Sequence, residues 1–289
     1  MDTTELLKQV RKIEIKTKGL TKQIFSGDYQ SAFKGRGMSF SEVREYQYGD
    51  DVRNIDWNVT ARTGNPHIKV FEEERELTVM LLIDLSGSAF FGSQQKFKSA
   101  LQTEIGAVLA FSASTNNDKV GAIFFSDRIE GFIPPKKGRS HILRIIREMI
   151  DLKPEGKGTD INLALDYMNR VIKKRAISFV ISDFMNTGYE DSFRIAARRH
   201  DIIALRLQDP RDQELPAVGM IRAKDAETGQ MIWVDTDSRA VRDGYREQYH
   251  KFDNYLQNTI KRCSADLVNI SSEEGYIHAL IRFFQKRSS

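Results

Sequence analysis

The stretch that decides the fold is "TVMLLIDLSGSAFFGS", residues 78–93. It begins with a short apolar run and reaches Asp84, after which Ser86 and Ser88 follow at alternate positions. Short continuous apolar runs are typical of strands that are buried on both faces of a parallel sheet. The stretch therefore predicts a buried strand whose carboxyl end carries one carboxylate and two hydroxyls, with Gly87 allowing the backbone to approach a ligand closely.

Composition excludes several classes of protein. Of the 289 residues, 40% are hydrophobic and 29% are charged, as in soluble globular domains. No apolar run approaches the roughly 18 residues of a membrane span, and the first residues lack a signal-peptide pattern. The single cysteine, Cys263, rules out an internal disulfide and a cysteine-based zinc site. A cytoplasmic protein is expected.

The charge pattern favours no nucleic-acid partner. The net charge of +4 is mild, and basic and aromatic residues are not interleaved. Lysines crowd the first segment (Lys8, Lys12, Lys16, Lys18 and Lys22). They could contact an acidic partner or a membrane surface, but a solvated helix face is the simpler interpretation. No membrane span is expected, while peripheral membrane association stays open.

After residue 76, apolar segments of strand length alternate with helical patterns. Strands are predicted at residues 77–83, 119–125, 176–183 and 201–208, and helices at 95–115 and 239–263. A hairpin is predicted around the turn at residues 227–229. This alternation predicts an α/β fold with a doubly wound, mainly parallel sheet and helices on both faces.

The first 75 residues have a different pattern. Apolar residues recur at helical spacing and predict an amphipathic helix over residues 4–25: Leu6, Val10, Ile13, Leu20 and Ile24. A glycine-rich loop and short strands are expected to follow, one of them at residues 68–71. The chain is therefore divided into an N-terminal helix with a small β-rich extension, residues 1–75, and a main domain, residues 76–289.

Polar side chains are predicted to gather at one edge of the main sheet. Asp84, Ser86 and Ser88 follow the first buried strand, Asp183 follows another, and Thr159 lies in a loop before a helix. Open parallel sheets bind ligands outside the carboxyl ends of their strands, near a switch in strand order. Hydroxyl and carboxylate oxygens suit a hard cation, so Mg²⁺ is expected, with Mn²⁺ or Ca²⁺ as alternatives. Such a set does not enclose a divalent ion and leaves a position open for an outside carboxylate.

These residues also carry a resemblance. "DLSGS", with Thr159 and Asp183, resembles the metal-ion-dependent adhesion site of von Willebrand factor A domains. Residues 35–76, which include "GDDVRNIDW", and residues 125–149 resemble the bacterial family numbered fifty-eight among the domains of unknown function. The resemblance extends from about residue 6 to residue 284 and implies a von Willebrand factor A-like main domain. Ala89 departs from many relatives, which have Met there, but this position contributes packing and no ligand.

The resemblance implies a ligand set and a partner. Ser86 and Ser88 would bind the metal directly, Thr159 directly or through water, and Asp84 and Asp183 directly or by holding coordinated waters. Members of the family are typically encoded beside MoxR-type AAA+ ATPases. Such an ATPase is therefore expected as a partner, in a chaperone-like step of protein maturation or complex assembly. A second protein ligand would supply the Asp or Glu that completes the metal's coordination.

Simpler interpretations exist for each candidate ligand. Ser86 and Ser88 could cap the following helix, and Asp183 could be a turn residue. Asp160, beside Thr159, is expected to cap a helix and not to bind metal. Any of these interpretations would prevail for one residue alone, but the coincidence of all five candidates at strand ends favours a metal site.

The acidic motif "GDDVRNIDW" leaves two interpretations open. Asp50, Asp51 and Asp56 could form an acidic catalytic cluster with the glutamates at residues 72–74. Alternatively the motif is a turn at Gly49, with Trp57 packed on the main sheet and with Arg53 and Arg62 paired locally. We prefer the turn, because a nuclease-like site would need an acidic pair followed by a nearby lysine on a strand, and Lys69 precedes the glutamates instead.

The alternative to a binding module is an enzyme, a Mg²⁺-dependent phosphatase or phosphotransferase with Asp84 as nucleophile. Such enzymes usually have a second Asp two residues on as general acid, where this chain has Ser86, a poor proton donor at neutral pH. No Walker loop GxxxxGK[ST] is present, and "GKGTD" is too short to cradle phosphates. We therefore expect a non-catalytic, metal-dependent protein-binding module.

Overall fold

The computed structural model of the chain describes residues 38–73, 76–86, 95–224, 231–271 and 275–288. The helix predicted over residues 4–25 and the candidate ligand Ser88 lie outside these residues. The domain boundary placed after residue 75 stays a prediction. Within the described ranges, no helix combines the length and the hydrophobicity that a bilayer crossing requires.

The described chain begins with a two-stranded antiparallel hairpin. Strand β1 (Met38–Glu45) pairs with strand β2 (His67–Glu73), and helix α1 (Trp57–Thr63) lies between them. Only strands and turns were expected here, so α1 is a correction. Asp56 caps the first turn of α1 and Gly64 ends the helix with a φ of 78°. These caps outweigh the strand preference of the β-branched residues in α1.

The acidic residues of this segment have separate local roles. Arg44 donates two 2.8 Å hydrogen bonds to Asp50. Asp51 caps a short 3₁₀ turn, and Asp56 caps α1. These contacts support the turn interpretation over a catalytic cluster. One part of that interpretation is wrong, because Trp57 is 70% exposed and is not packed on the main sheet.

The core of the main domain is a six-stranded sheet. Its strands are β3 (Thr78–Asp84), β4 (Lys119–Phe125), β5 (Ile129–Lys136), β6 (Ile177–Ser182), β7 (Asp201–Gln208) and β10 (Asp266–Ser271). Strands β8 (Met220–Lys224) and β9 (Met231–Asp235) lie between β7 and β10 in the chain and form a separate antiparallel pair. The order of the six strands across the sheet is β10-β7-β6-β3-β4-β5. All neighbours are parallel except β4 and β5. The predicted mainly parallel sheet is confirmed.

Helices cover both faces of this sheet, because alternate residues of each buried strand are apolar on opposite sides. In β3, Leu81 packs in the cluster of one face and Leu82 in the cluster of the other. The first face is covered by α2 (Gln95–Thr115), α3 (Arg139–Asp151) and, at the end of the chain, α8 (Tyr276–Ser288). The second is covered by α4 (Ile161–Val171), α5 (Glu190–Arg199) and, after the short α6 (Pro210–Gln213), α7 (Arg239–Cys263). This arrangement confirms the doubly wound α/β fold.

The strand order reverses between β3 and β6. The chain leaves β3 for β4 on one side and later returns to β6 on the other. The carboxyl ends of such a pair are where an open α/β sheet binds its ligands. Asp84 is the last residue of β3 and Asp183 directly follows β6. The fold therefore delivers both carboxylates to this switch point.

Candidate metal centre

Asp84 is buried, and each of its carboxylate oxygens accepts a hydrogen bond. The residue is 1% exposed. Its Oδ1 accepts from the backbone N–H of Ser86 at 2.9 Å, and its Oδ2 accepts from the hydroxyl of Ser182 at 2.5 Å. Because Ser182 ends β6, the second bond joins the two strands of the switch point. Together the two bonds fix the orientation of the carboxylate.

Gln102 of α2 ties the same strand ends together. Its Nε2 donates to the backbone carbonyl of Asp84 at 2.7 Å and to that of Ile181 at 3.3 Å. The side chain is buried, and a buried amide donor without a partner is costly. Gln102 therefore fastens α2 to both β3 and β6 beside the candidate site.

Asp84 and Asp183 lie close enough to repel each other. Burial is the main cause that raises the pKa of Asp84, and the negative charge of Asp183 raises it further. The hydrogen bonds from Ser182 and Ser86 act in the opposite direction. A cation placed beside two such carboxylates relieves both the repulsion and the cost of burial.

One cation, the ammonium group of Lys98 in α2, is already present. Its Nζ lies 2.7 Å from Oδ2 of Asp212 and 4.0 Å from Oδ2 of Asp183. Burial lowers the pKa of Lys98, but the charges of Asp183 and Asp212 outweigh this effect, so its pKa is raised and the lysine stays protonated. The charge of Asp209 also raises the pKa of Lys98, and Asp84 lines the same cavity as Lys98. Carboxylates therefore outnumber the ammonium group here, and this excess of negative charge favours a divalent cation.

A small cavity lies between these groups. Its volume is ≈ 10 Å³, and it is lined by Asp84, Lys98, Gln102, Ser182, Asp183 and Leu207. This is room for about one water molecule. A ligand of the size of a metal ion fits here, whereas an organic cofactor does not.

Asp183 has one carboxylate oxygen engaged by its own turn. Oδ1 accepts from the backbone N–H of Met185 at 3.2 Å, which is an Asx-turn. The other oxygen, Oδ2, faces Lys98. The simpler interpretation of Asp183 as a turn residue is therefore compatible with a ligand role, since the turn holds the carboxylate in place.

The loop that carries Thr159 is held by two carboxylates next to the end of β4. Asp127 accepts hydrogen bonds from two successive backbone amides of the loop at 3.3 and 3.2 Å. Glu130 accepts from the two preceding amides at 3.2 and 2.8 Å. The hydroxyl of Ser126 donates to Glu130 at 2.6 Å. Four consecutive backbone donors are thus satisfied, which fixes the backbone just before Thr159.

Gly156 in this loop has no room for a side chain. A Cβ there would lie 2.1 Å from Oδ1 of Asp127 and 2.1 Å from Oγ of Ser126. At Gly158 the corresponding nearest distance, to Asp127, is an ordinary 3.6 Å. The first glycine of "GKG" is therefore required by close approach, and the second is not.

The Thr159 loop also contacts the segment that follows β6. Nδ2 of Asn186 donates to the backbone carbonyl of Thr159 at 3.1 Å. Asp160 caps α4 by accepting from the backbone N–H of Leu163 at 2.9 Å, which confirms its predicted role. The contact through Asn186 connects the loop to the neighbourhood of Asp183.

The structure places some of the five predicted ligands together and does not describe all of them. The structure brings Asp84, Ser86 and Asp183 together in one buried place and sets Thr159 in a loop that contacts the segment after Asp183. Ser88 lies outside the described residues. The interpretation of Ser86 as a cap of α2 is not tested, because residues 87–94 lie outside the described residues. The role of the five residues as metal ligands stays a prediction.

Four polar residues of the site were not identified from the sequence: Ser182, Gln102, Lys98 and Asp212. Two of them could have been identified from their spacing in the sequence. Lys98 and Gln102 stand four residues apart on the face of α2 that also carries Ile105, where an amphipathic helix would place apolar residues. A polar pair on a buried helix face indicates a polar partner beneath it.

The donors at the switch point fit a hard divalent cation. They are carboxylate and hydroxyl oxygens, which Mg²⁺, Mn²⁺ and Ca²⁺ prefer over softer ligands. No group of three or more His, Cys, Asp or Glu side chains is arranged for a metal in the part of the chain that the structure describes. A metal here would therefore depend on the hydroxyls of Ser86, Ser88 and Thr159.

Comparison with known proteins gives a family model and relatives that match most of the chain. A family model described as "Protein of unknown function DUF58" matches residues 42–254. An uncharacterised protein of Mycobacterium tuberculosis is 31% identical over 292 residues, which cover 99% of this chain and 91% of that protein.

The solved structures that resemble this chain are distant from it. BatB of Bacteroides thetaiotaomicron, described as a conserved hypothetical protein, is 18% identical with a TM-score of 0.48, over 73% of this chain and 98% of that one. Proximal thread matrix protein 1 from the mussel byssus, described with a zinc occupied MIDAS motif, is 15% identical with a TM-score of 0.41. That match covers 74% of this chain and 48% of the other.

Proposed function

The chain belongs to the family described as Protein of unknown function DUF58, and from this premise we propose that it is a non-catalytic protein-binding module that depends on a divalent metal. The observation that supports the proposal most is the charge at the switch point. Asp183 and Asp212 lie around the ammonium group of Lys98, Asp84 lines the same cavity, and the charge of Asp209 acts on this lysine as well. Negative charge is therefore in excess there, and a divalent cation would balance it.

The proposed metal is Mg²⁺, with Mn²⁺ or Ca²⁺ as alternatives, and its proposed ligands are Asp84, Ser86, Ser88, Thr159 and Asp183. When bound, the ion offers an open coordination position to an oxygen ligand from outside. The protein's other residues prepare the ligands for this. Ser182 orients the carboxylate of Asp84, and Asp127 with Glu130 fixes the loop before Thr159.

The outside ligand is proposed to be an Asp or Glu side chain of a partner protein, since a charge-assisted contact to the ion is strong and directional. Family resemblance supports a MoxR-type AAA+ ATPase as working partner. We place the pair in the cytoplasm, in protein maturation or complex assembly. Residues 1–75 are proposed as an extension separate from the main domain, residues 76–289.

The burial of Asp84 speaks against the alternative, a phosphatase or phosphotransferase. A nucleophilic carboxylate must reach a phosphorus atom, whereas Asp84 is 1% exposed and both of its oxygens accept hydrogen bonds. Ser86, two residues on, offers no acidic proton to a leaving group. A carboxylate held in this way is suited to orienting a metal shell.

Titration calorimetry of Mg²⁺ and Mn²⁺ into the metal-free full chain tests the metal step. We expect one saturable site that is lost in Ser86→Ala and in Asp183→Asn. Ser112→Ala is the matched control, because it removes a buried hydroxyl that has no hydrogen-bond partner among the described residues. An absence of binding in the wild type, or equal binding in all four proteins, would overturn the proposal.

The partner step is tested by co-purification with a MoxR-type ATPase in the presence of Mg²⁺ and of EDTA. A contact through the metal is lost when the ion is removed, because only the metal-loaded chain binds the partner's carboxylate. We expect EDTA and Asp183→Asn to abolish co-purification and Ser112→Ala to leave it intact. Capture that persists in EDTA would contradict a metal-dependent contact.

A further inference from the structure

The edge of the sheet opposite the candidate metal centre is basic. Strands β6, β7 and β10 are neighbours in the sheet, and each is preceded by basic residues: Lys173, Lys174 and Arg175 before β6, Arg198 and Arg199 before β7, and Lys261 and Arg262 before β10. These residues are exposed. We call this set the basic edge. Because adjacent strands are about 4.8 Å apart, the first residues of these three strands lie within about 10 Å of one another.

The charges of the basic edge act on shared neighbours. The pKa of His200 is lowered to about 4, mainly by burial and in addition by the charges of Arg199 and Arg175. These two arginines belong to different connections, one before β7 and one before β6. Arg198 and Arg262, from the connections before β7 and β10, likewise both act on the pKa of Cys263. The three connections therefore form one continuous positive surface.

The nearby carboxylates are already engaged. Asp201 accepts hydrogen bonds of 2.7 and 2.6 Å from Arg287 of α8, whose Nε also lies 3.5 Å from Asp266. Glu190 accepts from Arg262 at 2.7 Å. Asp191 is paired with Arg194 in α5. The acidic residues around the basic edge thus neutralise only part of its charge.

Helix dipoles do not account for all of the basic edge. Arg198 and Arg199 end α5, and Lys261 lies in the last turn of α7, where a cation is favoured by the dipole. Lys173 and Arg175 lie beyond α4, which ends at Val171, and form no ion pair with any described residue. Their exposed charge is available to an external anion.

We propose that the basic edge binds the anionic surface of a phospholipid bilayer. Its charges are spread over three connections, and Ile195 is the large apolar residue exposed beside them. Protein interfaces are centred on buried apolar and aromatic anchors, and single-stranded nucleic acids are bound on aromatic stacking platforms. A surface on which lysines and arginines are spread out is instead attracted to a high density of negative charge, as juxtamembrane basic clusters are attracted to anionic lipids.

The proposal has a geometric consequence for the metal centre. Parallel strands place their amino ends at one edge and their carboxyl ends at the other, about 20 Å apart for strands of this length. A chain bound to a bilayer through the basic edge therefore directs the switch point of Asp84 and Asp183 away from the lipid. Lipid binding neither requires nor blocks a metal, so it is independent of the proposed function.

Co-sedimentation of the full chain with phosphatidylcholine vesicles, with and without phosphatidylglycerol, tests the proposal. We expect binding only to the anionic vesicles, weakened by salt and unchanged by EDTA. The triple variant Lys173→Glu, Arg198→Glu, Lys261→Glu carries one change in each connection and is expected to bind at least tenfold more weakly. The control triple Arg144→Glu, Arg147→Glu, Lys153→Glu makes the same charge change at exposed residues of α3 and just beyond its end, away from the basic edge, and is expected to retain binding.

Three outcomes would overturn the proposal: no sedimentation with anionic vesicles, equal losses in the two triple variants, or tighter binding to polyglutamate or duplex DNA than to the vesicles. The single variant Lys173→Glu covers a failure of the triple variant to fold, because Lys173 lies outside the helices and strands. A partial, salt-dependent loss is expected for it. Unchanged vesicle binding in a folded Lys173→Glu would count against the basic edge.

Discussion

The hydroxyl of Ser182 donates a 2.5 Å hydrogen bond to Oδ2 of Asp84, across the two strands between which the strand order reverses. Both residues are buried, at 2% and 1% exposure, so bulk water does not replace either partner. The bond makes the orientation of a candidate ligand depend on the pairing of β3 with β6. It also offsets part of the cost of a buried carboxylate.

Ser182→Ala tests this coupling. The change leaves a buried carboxylate oxygen without its donor, so we expect the metal-free protein to lose about 1–3 kcal/mol of the free energy of unfolding at neutral pH. Urea denaturation measures the loss, and Mn²⁺ titration is expected to show weaker binding. Ser112→Ala, which removes a buried hydroxyl without a described partner, is the control. Equal losses in the two variants would contradict the coupling.

Gly156→Ala tests whether the loop before Thr159 must approach Asp127 closely. A Cβ 2.1 Å from Oδ1 of Asp127 forces either the loop or the side chains of Asp127 and Ser126 to shift, and overpacking of this kind costs about 1–3 kcal/mol of the free energy of unfolding. We expect Mn²⁺ affinity to fall as well, since Thr159 moves with the loop. Gly158→Ala, where the nearest Asp127 atom is 3.6 Å away, is expected to change neither quantity. Similar effects of both substitutions would refute this account.

The sheet could be predicted because its strands are buried on both faces. Such strands are mostly apolar, and this makes β3 and β4 visible as continuous runs in the sequence; β7 is visible too, although the buried Arg206 interrupts it. Helix α2 ends, and helix α7 begins and ends, at the predicted residues, since long stretches of helical apolar spacing are hard to mistake. Short elements carry less signal, and α1 is set by its two end caps.

The contacts of the site could be predicted only in part. Asp84 and Asp183 follow from strand ends and the rule for switch points. The partner of Asp84, Ser182, depends on which strand lies beside β3, and strand neighbours are not encoded in local sequence. Lys98 comes from a helix, and its partner Asp212 from a short helix after β7. Such contacts between distant segments need the tertiary structure.

Lys98→Met tests the electrostatic role of the buried ammonium group. At about 4 Å and an effective dielectric constant near 20, a unit charge contributes on the order of 4 kcal/mol. Removing it exposes Asp183 and Asp212 to mutual repulsion, so we expect the metal-free protein to be less stable. A divalent ion is no longer repelled by Lys98, so we expect Mn²⁺ to bind at least tenfold more tightly and to restore stability. Calorimetry and urea denaturation with and without Mn²⁺ measure both effects.

The control for Lys98→Met is Lys119→Met, since Lys119 is a half-exposed lysine paired with Glu76 at 3.2 Å, away from the switch point. We expect this change to leave Mn²⁺ affinity unaltered. Unchanged or weaker Mn²⁺ binding in Lys98→Met, with the protein still folded, would show that the ammonium group does not compete with a metal.

Asp118 makes stability depend on pH at the other edge of the sheet. Its Oδ1 accepts from the backbone N–H of Leu77 at 3.0 Å, while its Oδ2 is buried without a hydrogen-bond partner among the described residues. Burial raises the pKa of Asp118 to about 6. An unfolded Asp has a pKa of about 3.9. The folded protein therefore holds this proton more tightly, and the stabilisation is full below about pH 4 and is lost as pH rises through about 6.

Asp118→Asn removes this titration while retaining an oxygen that can accept from Leu77. The amide has its own cost at every pH, so the informative quantity is the change in the free energy of unfolding between about pH 4.5 and about pH 7.5. We expect the variant to gain stability relative to the wild type as pH rises over this window. Asp191→Asn, at an exposed carboxylate paired with Arg194, controls for a general loss of negative charge. If the pH profiles of wild type and Asp118→Asn run parallel in urea denaturation, Asp118 is not the titrating group.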